Sequence, residues 1–141
     1  MQRAVLALAI LATALTACGG FLAKGDAEAA VTKFHQQLDA GSFDEMYEQA
    51  DSLFKDASTR DQFLSMMRTV RFKLGAVVTT EQTEFYSREQ VGNINPGSYV
   101  SMTYKTVFAS GSAVEKFNYR VSTGHVSLVG YNIDNVQLTT K

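Results

Sequence analysis

The sequence predicts an α+β domain in which three N-terminal helices pack on a curved four-stranded antiparallel sheet. Apolar residues recur with the 3.6-residue period of helices as far as Leu74, and they follow a period of two after Gly75. Glycine-containing turns then divide the second half of the chain into strands, most of them with one apolar face. Helices followed by an antiparallel meander are typical of a two-layer α+β domain.

Start and stop signals delimit the three predicted helices. Asp26 is expected to cap the first helix, which ends at Gly41. Ser42-Phe43-Asp44-Glu45 has the pattern of a capping box and opens the second helix, which loses its period near Asp56. Ser58-Thr59 offers an N-cap for the third helix, which ends at Gly75. The apolar positions of the first and third helices are Ala27, Ala30, Val31, Phe34, Leu38, Phe63, Met66, Met67, Val70 and Leu74.

Four strands are expected after the helices. Residues 76–87 alternate loosely, as in an edge strand, and 88–97 contain the glycines, asparagines and proline of a loop. Residues 98–109 alternate cleanly, and a Ser-Gly-Ser turn leads to a third strand with Phe117, Tyr119 and Val121 on one face. Residues 125–137 are apolar on both faces, which predicts a more central strand.

The N-terminal segment has the layout of an export signal. Arg3 precedes an apolar run over residues 4–15, which is shorter than the ~20 residues that span a bilayer. Leu15-Thr16-Ala17-Cys18 resembles a bacterial lipobox, and Cys18 is the sole cysteine. We therefore predict a signal peptide over 1–17, a lipidated N-terminus and short tether over 18–25, and a single domain over 26–141. The alternative is an ordinary secretory signal with an incidental cysteine.

The lipobox resemblance implies where the protein is located. Several acyl chains, palmitate among them, would anchor Cys18 stably in a membrane. Gly19 follows the cysteine where aspartate would retain a Gram-negative lipoprotein in the inner membrane, so the resemblance implies the outer membrane, with the domain facing the periplasm. With Cys18 acylated, no thiol is left for a disulfide, a cysteine-based metal site or cysteine catalysis.

Charge and composition exclude some partners. Removal of Arg3 with the signal peptide lowers Lys+Arg from 13 to 12 against 14 Asp+Glu, giving a net charge of about −2. The charges are interspersed, without the basic stripe that nucleic-acid binding requires. The outward face of the middle strands is polar, which favours a monomer.

The order of motifs resembles a known group of exported bacterial proteins. Gly41-Ser42-Phe43-Asp44 leads into the second helix, Phe63-Leu64 lies in the third, Leu74-Gly75-Ala76-Val77 precedes the meander, and the chain closes on residues 129–133, Val-Gly-Tyr-Asn-Ile. The chain is similar, over residues 26–136, to lipoproteins of unknown function with a nuclear transport factor 2-like (cystatin-like) domain. That resemblance implies a cone whose sheet and helices enclose a pocket, in a superfamily that holds both enzymes and non-catalytic binding modules.

Few residues are candidates for chemistry in such a pocket. Tyr104, Thr106, Glu115 and Tyr119 are predicted to face inward, and Met67 to line an adaptable pocket. Glu115 lies next to a turn, so we expect it at a solvated rim. His35 is expected at the partly exposed flank of the first helix, and His125 at a loop end. The two histidines are far apart in the sequence, and neither has a carboxylate beside it at helical or strand spacing. We therefore predict no metal site and no cofactor.

These observations predict a non-catalytic lipoprotein that binds a small apolar ligand or an envelope protein partner. An isomerase- or cyclase-like enzyme acting in the cone is the alternative, and it needs an acid or base desolvated inside the pocket. A third alternative is a structural component of an envelope complex, which predicts a filled core and an apolar outer patch, whereas the binding module predicts an open cavity. We expect no catalytic residues, and Cys18 is the predicted lipid-attachment residue.

Overall fold

The computed structural model describes residues 18–122, 124–135 and 138, and within them the chain forms four helices followed by one four-stranded sheet. The helices are α1 (Cys18–Ala40), α2 (Phe43–Gln49), α3 (Ser52–Ala57) and α4 (Arg60–Leu74). The strands are β1 (Val77–Gln90), β2 (Gly97–Phe108), β3 (Gly111–Ser122) and β4 (His125–Asp134), antiparallel in the order β1-β2-β3-β4. The α+β class and the meander are confirmed. The predicted signal peptide lies outside the described residues.

The prediction of three helices is wrong, because the expected second helix is two helices, α2 and α3. Ala50 and Asp51 between them have extended backbone. The Asp51 side chain accepts a hydrogen bond from the Leu53 N–H and so caps α3. A carboxylate that satisfies a free helical N–H favours an N-cap over a helix interior, which explains the break.

Helix α1 extends further towards the N-terminus than the sequence predicted. It is helical from Cys18, so Asp26 is not its N-cap, and residues 18–25, expected as a tether, belong to α1. Buried Ala23 continues the apolar stripe of Ala27 and Val31 by one turn, and Lys24 pairs with Glu28 at i,i+4 spacing. Across the described residues, no helix is long and apolar enough to cross a membrane.

The predicted capping box of α2 and the predicted N-cap of α4 differ in outcome. Ser42 makes no side-chain hydrogen bond to α2, so that capping box is wrong. At α4 the N-cap is Thr59, whose side chain accepts from the Gln62 N–H while the Gln62 side chain accepts from the Thr59 N–H. Gly75 ends α4 at φ +80°, a conformation that favours glycine.

The sheet confirms one predicted edge strand and corrects the position of another strand. β1 is an edge strand, exposed along most of its length, and it runs to Gln90, so the following loop is shorter than expected. β4 is the opposite edge strand and not a central one. Its outer edge is covered by the start of α3, because the Asp51 N–H donates to the Leu128 carbonyl at 2.9 Å. A register shift opposite Asn118 and Tyr119 explains why β4 is apolar at both odd and even positions. Val126 and Leu128 before the shift, and Tyr131 and Ile133 after it, all pack against the core.

The core lies between the inner face of the sheet and helices α1 and α4. Phe63, Met67 and Leu74 of α4 have no exposed surface, and neither have Met102 of β2 and Phe117 of β3. The Phe117 ring meets the Phe34 ring edge to face, with centroids 5.1 Å apart. The inner face is therefore filled with apolar side chains, which surround a cluster of buried polar side chains that includes His35, Thr106 and Glu115.

Candidate functional site

Glu115, on the inner face of β3, is a carboxylate with no exposed surface. Its Oε1 accepts a hydrogen bond from the Tyr131 hydroxyl at 2.6 Å, and its Oε2 accepts one from the Thr106 hydroxyl at 2.5 Å. His35 Nε2 lies 2.7 Å from the same Oε2. Because an ionised carboxylate only accepts, His35 donates from Nε2 in this arrangement. The expectation that Glu115 lies at a solvated rim is wrong.

Strand register explains why the carboxylate is buried. Glu115 lies opposite Tyr104 of β2 and Ile133 of β4, both on the inner face. Thr106 and Tyr131 are its diagonal neighbours on the two flanking strands, which places their hydroxyls beside the carboxylate. Helix α1 lies across this face and supplies the fourth member of the cluster.

His35 is that fourth member, and only 6% of its surface is exposed. The prediction of a partly exposed flank is wrong, because α1 turns this edge towards the sheet. The imidazole packs edge to face on Phe117, with ring centroids 5.6 Å apart. A buried carboxylate that accepts from the imidazole orients the ring and selects its tautomer, as in other carboxylate–histidine pairs.

Burial affects the pKa values of Tyr131, a member of this cluster, and of two tyrosines near it, Tyr119 and Tyr104. Burial raises the pKa of Tyr131, and the Glu115 charge and hydrogen bond raise it further, so the Tyr131 phenol stays protonated and donates. Burial, followed by the Glu115 and Tyr104 charges, also raises the pKa of Tyr119. In the described part of the chain, the buried Tyr119 hydroxyl has no hydrogen-bond partner. Burial, followed by the Glu28 charge, raises the pKa of Tyr104.

A groove between α1 and β1, which we call the α1–β1 groove, opens in front of His35. Its volume is about 260 Å³, and its floor is formed by His35 and Tyr104. The Asp39 carboxylate accepts from the Val77 N–H at 3.0 Å and fixes one end of the groove. The walls are lined by Val31, Thr32 and Gln36 of α1 and by Val77, Val78, Thr79 and Thr80 of β1.

The α1–β1 groove and the buried cluster form one candidate site. Glu115 cannot touch a molecule in the groove, since it is fully enclosed. His35 borders both, so it can present a hydrogen-bonding nitrogen to the groove while Glu115 holds the ring from behind. Such a pair can bind a polar group of a ligand or exchange a proton with it.

The other predicted pocket residues lie in different places. Tyr119 borders a cavity of about 80 Å³ between α1, α2 and β4, and Met67 is fully buried in the core. Cys18 is the first residue of α1, and its lipidation stays a prediction. The described residues contain no group of three or more side chains that could hold a metal ion.

A second groove, the α4–β4 groove, has a volume of about 660 Å³. Its apolar floor contains Met66 and Val70 of α4, Ile133 of β4 and Leu138. Its rim is polar and includes Asp61 and Thr69. The described residues of this groove include no buried ionisable cluster of the kind that lies behind the α1–β1 groove.

Sequence reasoning missed the polar contacts of the site and a second buried cluster. Asp51 binds Arg120 and Ser127, with the Arg120 Nε donating to its Oδ2 at 2.9 Å. These partners are 69 and 76 residues away along the chain. His35 and Glu115 are 80 residues apart. No local spacing signals such pairs; the only sequence signal for Glu115 is its inward parity on an alternating strand.

The fold and the site together define the class of this protein. It is an α+β domain with a buried carboxylate–histidine pair behind a small groove. The chain belongs to the DUF4019 family, described as a protein of unknown function, whose family model matches residues 30–131. The matched region contains His35, Thr106, Glu115 and Tyr131. Comparison with curated proteins found no match.

Proposed function

We propose that this chain is a lipid-anchored envelope protein whose domain is a non-catalytic binding module. Cys18 would carry the lipid, and the outer membrane, facing the periplasm, would be its location. The domain would be a variant of the nuclear transport factor 2-like cone, and a small, partly apolar ligand would dock in the α1–β1 groove. Envelope protein partners are the other class of ligand that fits the sequence.

The observation that carries this proposal is the pairing of His35 with Glu115 at the floor of the groove. Valine side chains on both walls offer apolar contact, and the histidine and Tyr104 offer a few polar contacts, which is the usual make-up of a ligand site. The groove volume is below the ~300 Å³ of drug-sized sites, which favours a small ligand. The core is filled, as the structural-component alternative predicts, so a binding module would hold its ligand in this surface groove and not in a cavity inside the cone.

Anchoring can be tested by metabolic labelling with an alkyne fatty acid. The unsubstituted chain is expected to take up the label and to fractionate with membranes, and Cys18→Ser is expected to lose both properties. Ser52→Ala, an exposed serine change within the domain, is the control and should leave labelling intact. Persistent labelling of Cys18→Ser would contradict the anchor.

Ligand binding can be tested by native mass spectrometry of protein purified without denaturation from its own membranes. A small molecule is expected to remain bound to the unsubstituted chain. Thr80→Trp, which fills the α1–β1 groove, should release it, while the matched Thr69→Trp in the α4–β4 groove should retain it. Retention by Thr80→Trp would place the ligand elsewhere, and no bound molecule in any sample would contradict small-ligand binding.

A second function, acid–base catalysis in the groove, is favoured by one specific observation. Isomerases and cyclases need a desolvated proton-transfer group, and the buried His35–Glu115 pair supplies one. In this alternative His35 would exchange the proton with substrate, and Glu115 would position and stabilise the imidazole. Because isomerisation leaves the mass unchanged, the bound molecule would be followed over time by its chromatographic retention and its fragment-ion spectrum. If these change, and His35→Gln stops the change while retaining binding, the enzyme is favoured. An unchanged structure of the bound molecule favours the binding module.

A further inference from the structure

The hairpin that joins β1 and β2 ends in two exposed apolar side chains, Val91 and Ile94, with 90% and 76% of their surface exposed. Side chains of the adjoining strands hold this tip in shape. The Gln90 amide donates to the Ile94 carbonyl at 2.8 Å, and the Tyr99 hydroxyl donates to the Asn95 carbonyl at 2.8 Å. The tip is thus an ordered apolar projection.

The contacts of α1 with β1 place this tip at the same end of the molecule as Cys18. The two elements run antiparallel. Near the end of α1, Asp39 bonds Val77, and nearer its beginning, Lys24 Nζ lies 5.6 Å from the centre of the Phe85 ring. Six helical residues from Lys24 to Cys18 span about 9 Å. Six strand residues from Phe85 to Val91 span about 20 Å, so the tip reaches past the first turn of α1.

Residues just behind the tip suit a membrane interface. The Arg88 guanidinium lies over the Tyr99 ring, 5.1 Å from its centre. Tyrosine and arginine carry an apolar body with a polar end, and both are common where a protein meets the headgroup region of a bilayer.

We infer that the Val91–Ile94 hairpin tip inserts into the surface of the membrane that holds Cys18 and thereby fixes the orientation of the domain. This inference rests on the lipid anchor in the proposed function. Two apolar side chains bind a bilayer weakly by themselves, but an anchor at the same end raises their effective concentration at the surface. The opposite end of the domain, with the β2–β3 turn, would then face away from the membrane.

The chain contains no tryptophan, so a single introduced tryptophan reports on its own surroundings. Full-chain Ile94→Trp would be expressed, purified from membranes, checked for acyl chains by mass, and reconstituted in phosphatidylethanolamine–phosphatidylglycerol vesicles. We expect blue-shifted emission and quenching by brominated lipids. The matched control Ser110→Trp, on the β2–β3 turn, should emit as in water. Adding Val91→Ser to Ile94→Trp should reduce the shift.

The experiment distinguishes a wrong inference about the hairpin tip from a wrong prediction of the lipid anchor. If acylated Ile94→Trp protein emits at the same wavelength as the Ser110→Trp control, the tip inference is overturned and the anchor is left intact. A mass without acyl chains would contradict the anchor. In that case the free Cys18 thiol would be coupled to a maleimide phospholipid in the same vesicles, and the same comparison of the two tryptophan variants would decide whether the tip inserts.

Discussion

Glu115 shows at the residue scale what keeps a charge inside this core. Removing a carboxylate from water is costly, and its burial is sustained only when donors replace the lost water. The Tyr131, Thr106 and His35 donors come from β4, β2 and α1, so the carboxylate connects three elements. Charge-assisted hydrogen bonds of this kind are stronger than neutral ones.

Glu115→Gln is expected to lower the free energy of unfolding by about 2–4 kcal/mol, because an amide nitrogen cannot accept from the donors that face it. Urea unfolding followed by circular dichroism measures this loss. Glu81→Gln, an exposed position on β1, is the matched control and should change stability by less than about 0.5 kcal/mol. Equal stability of the two variants would mean that the buried cluster does not stabilise the fold.

The environment of Asp51 predicts that the free energy of unfolding depends on pH. Burial alone would raise the pKa of this carboxyl, but hydrogen bonds from Ser127 and the Leu53 N–H and the Arg120 charge outweigh burial and hold the pKa below 3.8. As pH falls through this range, the unfolded chain therefore binds a proton at Asp51 before the folded chain does. The stabilisation from Asp51 is present above the ordinary value of 3.8 and is lost as pH falls through the lowered pKa.

Asp51→Asn should therefore lower stability near neutral pH and flatten its decline in acid. Urea midpoints between about pH 2 and pH 6 measure both effects. Asp56→Asn, an exposed aspartate on α3, should keep the acid decline of the unsubstituted chain. An Asp51→Asn curve parallel to that of the unsubstituted chain would argue against the lowered pKa.

At this scale the sequence predicted that Glu115 faces inward but not that it is buried. Its alternation with Phe117 and Tyr119 indicated the face. Its closeness to the Ser-Gly-Ser turn favoured solvent, but the donors that make burial tolerable lie on other elements. Pairing between residues 80 positions apart depends on how α1 crosses the sheet, which spacing along the chain does not encode.

At the scale of elements, helix ends decide the differences between prediction and structure. Ser42 and Thr59 both follow N-cap patterns, yet only the Thr59 side chain makes the cap hydrogen bond. The α2–α3 break was missed because Asp51 resembles a surface helical residue until Arg120 and Ser127 are known to bind it.

Thr59→Ala should destabilise the domain by about 1 kcal/mol, since it removes the acceptor for the Gln62 N–H at the start of α4. Thermal unfolding provides the measurement. The matched control is Thr32→Ala on exposed α1 surface, where alanine has the higher helix propensity, and its stability should be unchanged or slightly higher. A loss in Thr32→Ala as large as that in Thr59→Ala would show that the cap has no special contribution.

At the scale of the molecule, the period change at Gly75 was enough to predict the α+β class and the meander. It could not predict which strand lies at each edge, because a register shift in β4 brings apolar residues of both parities to the inner face and gives this edge strand the sequence of a central one. Nor could it place the groove, which depends on the separation of α1 and β1. The proposed site is thus a product of packing between elements.

We claim that a ligand occupies the α1–β1 groove in front of His35. Hydrogen–deuterium exchange can detect such a ligand when protein isolated without denaturation is compared with the same protein unfolded in urea, dialysed and refolded. We predict slower exchange in the isolated protein for residues 77–80, which form the β1 wall of the groove. Identical exchange in the two samples, or slower exchange confined to α4 and the end of β4, would contradict the claim.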